Sequence, residues 1–282
     1  MTMKVLIALL LLLLIGGAEA RNPRGGTATS AQTGTFNLTT TDGTTSRLFL
    51  MQVMADYTPS KAYPLTFVFH GLNGNSSTAQ GYGLQTATGA SEASIFVFPN
   101  GHAGSTTWDD SASGVDFVYF DNMIAMIESI YHIDTTRIFI AGFSFGCDFA
   151  TGLVTARGNV IRAAVTNSCT FDFSNTSNFT THIDYAVRTS THPAVRFEHA
   201  IGGDVFYSAT EFATTSSLFQ NLNSCTGGST PASNPSGNTY ESCVSYNGCT
   251  KQVLECPFLN SMGHELPPSW VTDAWAFLSG FL

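Results

Sequence analysis

The chain reads as an α/β domain with a mostly parallel central sheet and helices on both faces. Two observations predict this. Leu65–Phe69, Ile95–Phe98 and Ile138–Ala141 are short runs of apolar or nearly apolar residues, and segments of helical character alternate with them. Strands that are apolar along their length are buried on both faces, as parallel strands are. Alternation of such strands with helices is the pattern of the α/β class.

The elements follow in order. Thr35–Thr40 and Arg47–Met54 are strand-like, and Asp42-Gly43 between them is a hairpin turn signal. Leu65–Phe69 ends at His70-Gly71, and Ile95–Phe98 ends at Pro99. Val118, Met123, Ile127 and Ile130 place a helix over Val115–Tyr131. After the strand Ile138–Ala141 comes a helix over Phe145–Ala156, although Gly146 and Gly152 weaken its propensity. Ala163–Thr166, Val195–Glu198 and Val253–Leu254 are further strands, and Trp270–Phe281 is a closing amphipathic helix. Thr226–Thr239, dominated by Gly, Ser, Thr, Pro and Asn, reads as a long loop. No internal repeat or interdomain linker stands out.

Composition narrows the function classes. Of 282 residues, 43% are apolar, enough for a sizeable core, while only 11% are charged and the formal net charge is −9. Such a chain has no electrostatic basis for binding nucleic acid or an anionic membrane. Lys4, the apolar run Val5–Ile15 and the small residues up to Ala20 have the form of an export signal cleaved after Ala20. The run is short of the roughly 20 residues that span a bilayer. The expectation is therefore a secreted protein with one domain over residues 21–282, working as a monomer. Six cysteines behind an export signal favour disulfides over zinc, because no paired Cys-x-x-Cys spacing or interleaved His is present. Asn37, Asn75, Asn175 and Asn178 head glycosylation sequons.

The chemistry centres on Gly142-Phe143-Ser144-Phe145-Gly146, between a buried strand and a helix. That context is the nucleophile elbow of the α/β-hydrolase fold, a turn so tight that small residues must flank the Ser two places away on either side. Ser144 is the candidate nucleophile. His70-Gly71-Leu72-Asn73-Gly74 follows the strand that in this fold supplies one amide of an oxyanion hole. Leu72 is the candidate for that amide and Phe145 for the other. An ordinary Gly-rich turn is the competing reading of the His70 loop.

The fold orders its triad as Ser, acid, His along the chain. His264 lies after the last strand and before the terminal helix, where a base must hang to meet Ser144. His192 precedes a strand, at the wrong end of the sheet, and His199 ends a strand in what reads as a structural role. Asp204 follows the strand ending near Glu198, on the edge where functional residues of open α/β sheets gather. Asp172 and Asp184 are the competing acids. No metal or cofactor is implied by this set.

Several stretches together resemble the secreted carbohydrate esterase family 1 and the poly(3-hydroxybutyrate) depolymerase-like enzymes, which include feruloyl esterases. They are Pro64–His70 with Gly71-Leu72-Asn73-Gly74-Asn75, Val97–Gly101, Val115–Val118, Tyr131–Asp134 and Arg137–Gly146, then Asn223-Ser224-Cys225, Tyr246–Cys249 and Gly263-His264. The departures are Leu72-Asn73 where the family is richer in Gly, Phe145 for a small polar residue, Cys147 for Gly, and His199-Ala200 with one extra residue before Asp204.

The resemblance implies a serine esterase acting on feruloyl or acetyl esters of plant cell-wall polysaccharide. A polyester depolymerase is the alternative within the enzyme class, and a non-catalytic carbohydrate-binding or adhesion protein the alternative outside it. The resemblance also places Trp108 near the cleft, where its face could stack on a phenolic ring or a sugar, or simply pack under a loop. His70 stands with Trp108 as a candidate substrate contact. Cys147 and Cys169, both just past adjacent strands, are expected to pair. Local pairing among the last four cysteines is implied, as Cys225–Cys243 and Cys249–Cys256.

Overall fold

The structure is a computed structural model that describes residues 31–102, 107–109, 114–170, 191–238, 242–259 and 263–282. The expected signal segment, Asn175, Asn178, Asp172 and Asp184 lie outside them.

Among the described residues ten strands form one sheet. In chain order they are β1 (Gly34–Thr41), β2 (Ser46–Val53), β3 (Tyr63–Phe69), β4 (Ile95–Pro99), β5 (Ile133–Phe143), β6 (Ile161–Asn167), β7 (Ala194–Ala200), β8 (Gly227–Pro231), β9 (Val244–Asn247) and β10 (Val253–Phe258). Their spatial order is β1-β2-β4-β3-β5-β6-β7-β10-β9-β8. The six strands from β4 to β10 in that order are parallel, and the outer pairs are antiparallel.

The expected apolar strands occupy the middle. Every residue of β3, β4 and β7 is buried. Successive side chains of a strand point to opposite faces. Leu65, Phe67 and Phe69 therefore join one apolar layer and Val68 the other. The first layer is completed by α3 (Val115–Ile130), α4 (Phe145–Ala156) and α5 (Ala209–Leu222). The second is completed by α1 (Ser76–Gly81), α2 (Ala90–Ala93) and α6 (Trp270–Ser279), with Trp270, Trp275, Phe277 and Leu278 buried.

Two expectations need correction. The stretch read as a loop over Thr226–Thr239 contributes β8, which is exposed at every position. It carries no apolar alternation and is a strand because β9 lies beside it, with Gly227 opposite Asn247. The late cysteines pair as Cys225–Cys249 and Cys243–Cys256, not in sequence order. Sheet register explains this. Val244 lies opposite Glu255 on antiparallel β9 and β10, so the next step outward sets Cys243 beside Cys256. Cys147 and Cys169 do pair, pinning the first turn of α4 to the end of β6.

One helix was not legible by its apolar content. α5 opens with a capping box: the Ser208 side chain accepts from the Glu211 amide, and Glu211 accepts from Ser208. Its buried positions Phe212, Thr215, Ser216 and Phe219 have helical spacing, but two of the four are polar. The Ser-x-x-Glu cap was the signal available in the sequence.

Candidate active site

The carboxyl ends of β3, β5, β7 and β10 lie on one edge of the sheet, and each feeds a loop that carries a chemical group. The sharpest turn is at the end of β5. Ser144 alone joins β5 to α4, with φ 54° and ψ −129°. A non-glycine residue in this region is strained, by on the order of 1–3 kcal/mol. Three hydrogen bonds hold it there: the Ser144 amide donates to the Asn167 carbonyl at 3.1 Å, and its carbonyl accepts from Cys147 at 2.7 Å and Asp148 at 3.0 Å. Glycine flanks the turn for a steric reason. A Cβ on Gly142 would sit 2.2 Å from the Gly146 carbonyl oxygen, and one on Gly146 would sit 2.3 Å from that of Phe69.

His264 hangs between β10 and α6. Its Nε2 is 2.8 Å from Ser144 Oγ, and its Nδ1 is 2.8 Å from Asp204 Oδ2. A carboxylate can only accept, so Nδ1 is assigned the proton and Nε2 is left to accept from the Ser144 hydroxyl. The other Asp204 oxygen accepts from the amides of Phe206 at 2.8 Å and Tyr207 at 2.9 Å. Its carboxylate is fully buried. The loop is closed further by the Asp204 amide, which donates to the Tyr207 carbonyl at 2.8 Å. The Tyr207 hydroxyl in turn donates to Asp148 in the first turn of α4 at 3.2 Å. Burial, reinforced by the Asp148 carboxylate, raises the Tyr207 phenol above its ordinary value and keeps it a donor.

The β3 loop leans on the elbow. An added Cβ at Gly71 would lie 3.2 Å from Ser144 Cβ. Leu72 follows, half exposed, and then Asn73 with φ 61°. Phe145 is the first residue of α4, so its amide belongs to the group that has no intrahelical acceptor. The Gly71 amide donates to the Tyr82 hydroxyl at 2.9 Å. Burial raises the Tyr82 phenol, against the opposing effect of that bond, so it remains neutral. Nothing in the spacing of Tyr82, just beyond α1, marks it as part of the site.

His70 and Trp108, the candidate substrate contacts, are both buried beneath the β3 loop. His70 is fully buried, with Nδ1 2.8 Å from the Gly71 carbonyl and Nε2 accepting from the Gly101 amide at 3.0 Å. Burial lowers its pKa, opposed by the Gly71 carbonyl and reinforced by the Arg47 charge, so the ring stays neutral. Trp108 is 4% exposed, stacks on Phe149 at 4.9 Å, and donates from Nε1 to the His70 carbonyl at 2.8 Å. Its ring also lies against His70 and Phe69, and the ring nitrogen is committed to the interior. These residues brace the loop from beneath, the packing alternative for Trp108.

The remaining late histidines sit elsewhere. His199 Nε2 meets Glu255 at 2.9 Å, in a network with Ser216 and Tyr246. His192 lies before β7, at the opposite end of the sheet from Ser144. Among the described residues no group of His, Cys, Asp or Glu is arranged to hold a metal ion. No helix among them is long and apolar enough to cross a membrane.

The chain superposes on the acetyl xylan esterase from Aspergillus awamori with a TM-score of 0.71 and 15% identity, over 88% of this chain and 100% of that one. The chain is an α/β-hydrolase by fold. Within this fold, the antiparallel β1-β2 and β9-β8 pairs extend the parallel centre on either side. Curated sequences add a nearer likeness. The chain is 34% identical over 125 residues to a probable feruloyl esterase C from Aspergillus terreus, a match that covers 42% of this chain and 44% of that protein. It is 29% identical over 153 residues to feruloyl esterase D from Neurospora crassa, covering 50% of each. The chain thus spans about half the length of the curated relatives it matches. No protein-family model matches the chain.

Proposed function

We propose that this α/β-hydrolase is an exported serine esterase that cleaves feruloyl or acetyl esters of plant cell-wall polysaccharide. One observation carries the reading: the continuous hydrogen-bonded chain from Ser144 through His264 to Asp204 at the carboxyl edge of the sheet. In the reaction, His264 Nε2 takes the Ser144 proton as Oγ attacks the ester carbonyl carbon. Asp204 holds the imidazole in its productive tautomer and stabilises the imidazolium. The tetrahedral oxyanion is received by the Leu72 and Phe145 amides. Collapse expels the alcohol, which takes its proton from His264 and leaves an acyl-Ser144. Water, deprotonated by the same imidazole, then releases the acid. The feruloyl esterase relatives support the acyl group, and the acetyl xylan esterase neighbour supports a polysaccharide as its carrier. Three disulfides support export, since they persist in oxidising compartments.

The test is a panel of methyl ferulate, acetylated xylan and a short 3-hydroxybutyrate oligomer, run beside Ser144→Ala. Preference for methyl ferulate, lost in the variant, is expected. Turnover of the oligomer alone would overturn the polysaccharide reading. Failure of a folded protein to cleave any ester or to react with an organophosphonate would overturn hydrolysis altogether.

Tyr82→Phe isolates the support of the oxyanion loop. The variant leaves the Gly71 amide without its acceptor, a loss of on the order of 1–3 kcal/mol for a buried donor. A fall in kcat of about tenfold on methyl ferulate is expected, with KM little changed. A change confined to KM would show that Tyr82 does not set the position of the donors.

A further inference from the structure

Phe206 is the feature of the site edge that the reaction above leaves unused. The residue is 70% exposed, and its ring stands edge-on to the His264 imidazole, with centroids 4.7 Å apart and planes at 75°. The backbone of Phe206, not its side chain, serves Asp204. A polar residue would serve the acid equally well there, and an exposed phenyl ring forgoes about 1.5–3 kcal/mol of burial. The backbone that carries the ring is also anchored. Its amide is bound by Asp204, its neighbour Tyr207 by Asp148, and the loop is closed by the bridge between Gly203 and Ser208, the residue that caps α5.

Proton transfer decides which half of an ester meets this ring. The proton that His264 takes from Ser144 must be delivered to the leaving oxygen, so the alcohol half lies on the imidazole side of the carbonyl. A group flanking the imidazole flanks that half. A sugar presents a face of C–H groups, and an aromatic ring is the side chain that packs against such a face while leaving its hydroxyls hydrated.

We propose that Phe206 is a specificity-determining residue that packs against the sugar on the alcohol side of the ester. The proposal rests on the ester-hydrolase reading and adds the position of the carbohydrate.

The experiment compares two esters with the same acyl group, methyl ferulate and a feruloyl ester of a monosaccharide, by kcat/KM in the wild type, Phe206→Ala and Phe206→Tyr. The ratio of the sugar ester to the methyl ester is expected to fall about tenfold in Phe206→Ala and to be kept in Phe206→Tyr. An unchanged or increased ratio in Phe206→Ala would overturn the proposal, including the case in which both esters slow equally because the ring only steadies His264. Wild-type protein inactive on both esters and on acetylated xylan would remove the parent reading, whereas a wild type active on methyl ferulate with an unaltered ratio removes this inference alone.

Discussion

Ser144→Ala is expected to lower kcat by on the order of a millionfold, with the fold intact. The hydroxyl that disappears is the attacking atom, 2.8 Å from His264 Nε2, and no other described hydroxyl is hydrogen-bonded to that nitrogen. Ser144→Gly should be equally inactive, yet the two variants should differ in stability. Ala inherits the strain of φ 54°, whereas Gly adopts that conformation freely. Relief on the order of 1–3 kcal/mol outweighs the roughly 0.5–1 kcal/mol that glycine loses through its freer unfolded chain. A melting temperature about 2–4 °C higher for Ser144→Gly than for Ser144→Ala is expected, per kcal/mol gained. Calorimetry that finds the Gly variant melting lower would show that the elbow stores no strain.

The second large effect is Gly146→Ala. The added methyl would lie 2.3 Å from the Phe69 carbonyl oxygen and 2.5 Å from that of His70, both backbone atoms at the end of β3. Neither can rotate away as a side chain would, so α4 must lift from the sheet. A loss of about 3 kcal/mol is expected, a melting point lower by roughly 6–12 °C. Activity should fall further than stability, because the shift parts the Phe145 amide from the Leu72 loop. Gly81→Ala is the control: no atom lies within 4 Å of its added methyl, and a neutral or slightly raised melting point is expected. Equal effects of the two substitutions would refute the close approach of α4 to β3.

Legibility followed the strength of local signals. The elbow was readable because its requirements are local: a buried strand, two glycines at fixed offsets and a helix. His264 and Asp204 were readable because chain order and the carboxyl edge of the sheet leave few positions for a base and an acid. The orientation of His70 and Trp108 is not legible in the sequence, for one shared reason. Residues beside a reactive loop can face the substrate or the core, and sequence position is the same in both cases. Here His70 uses both ring nitrogens on backbone groups and Trp108 stacks on Phe149, so they face inward.

The layered α/β architecture, the central strands, the elbow and the candidacy of Ser144, Asp204 and His264 are legible in the chain alone. These depend on apolar period, turn chemistry and order, which are properties of short segments. The pairing of Cys243 with Cys256, the strand character of Gly227–Pro231, the Tyr82 hydroxyl beside the Gly71 amide and the exposed ring of Phe206 beside His264 emerge with the folded chain. Each is a contact between residues distant along the chain or a strand made by its neighbour. Such contacts are fixed by sheet register and loop closure, and no window of sequence contains both partners.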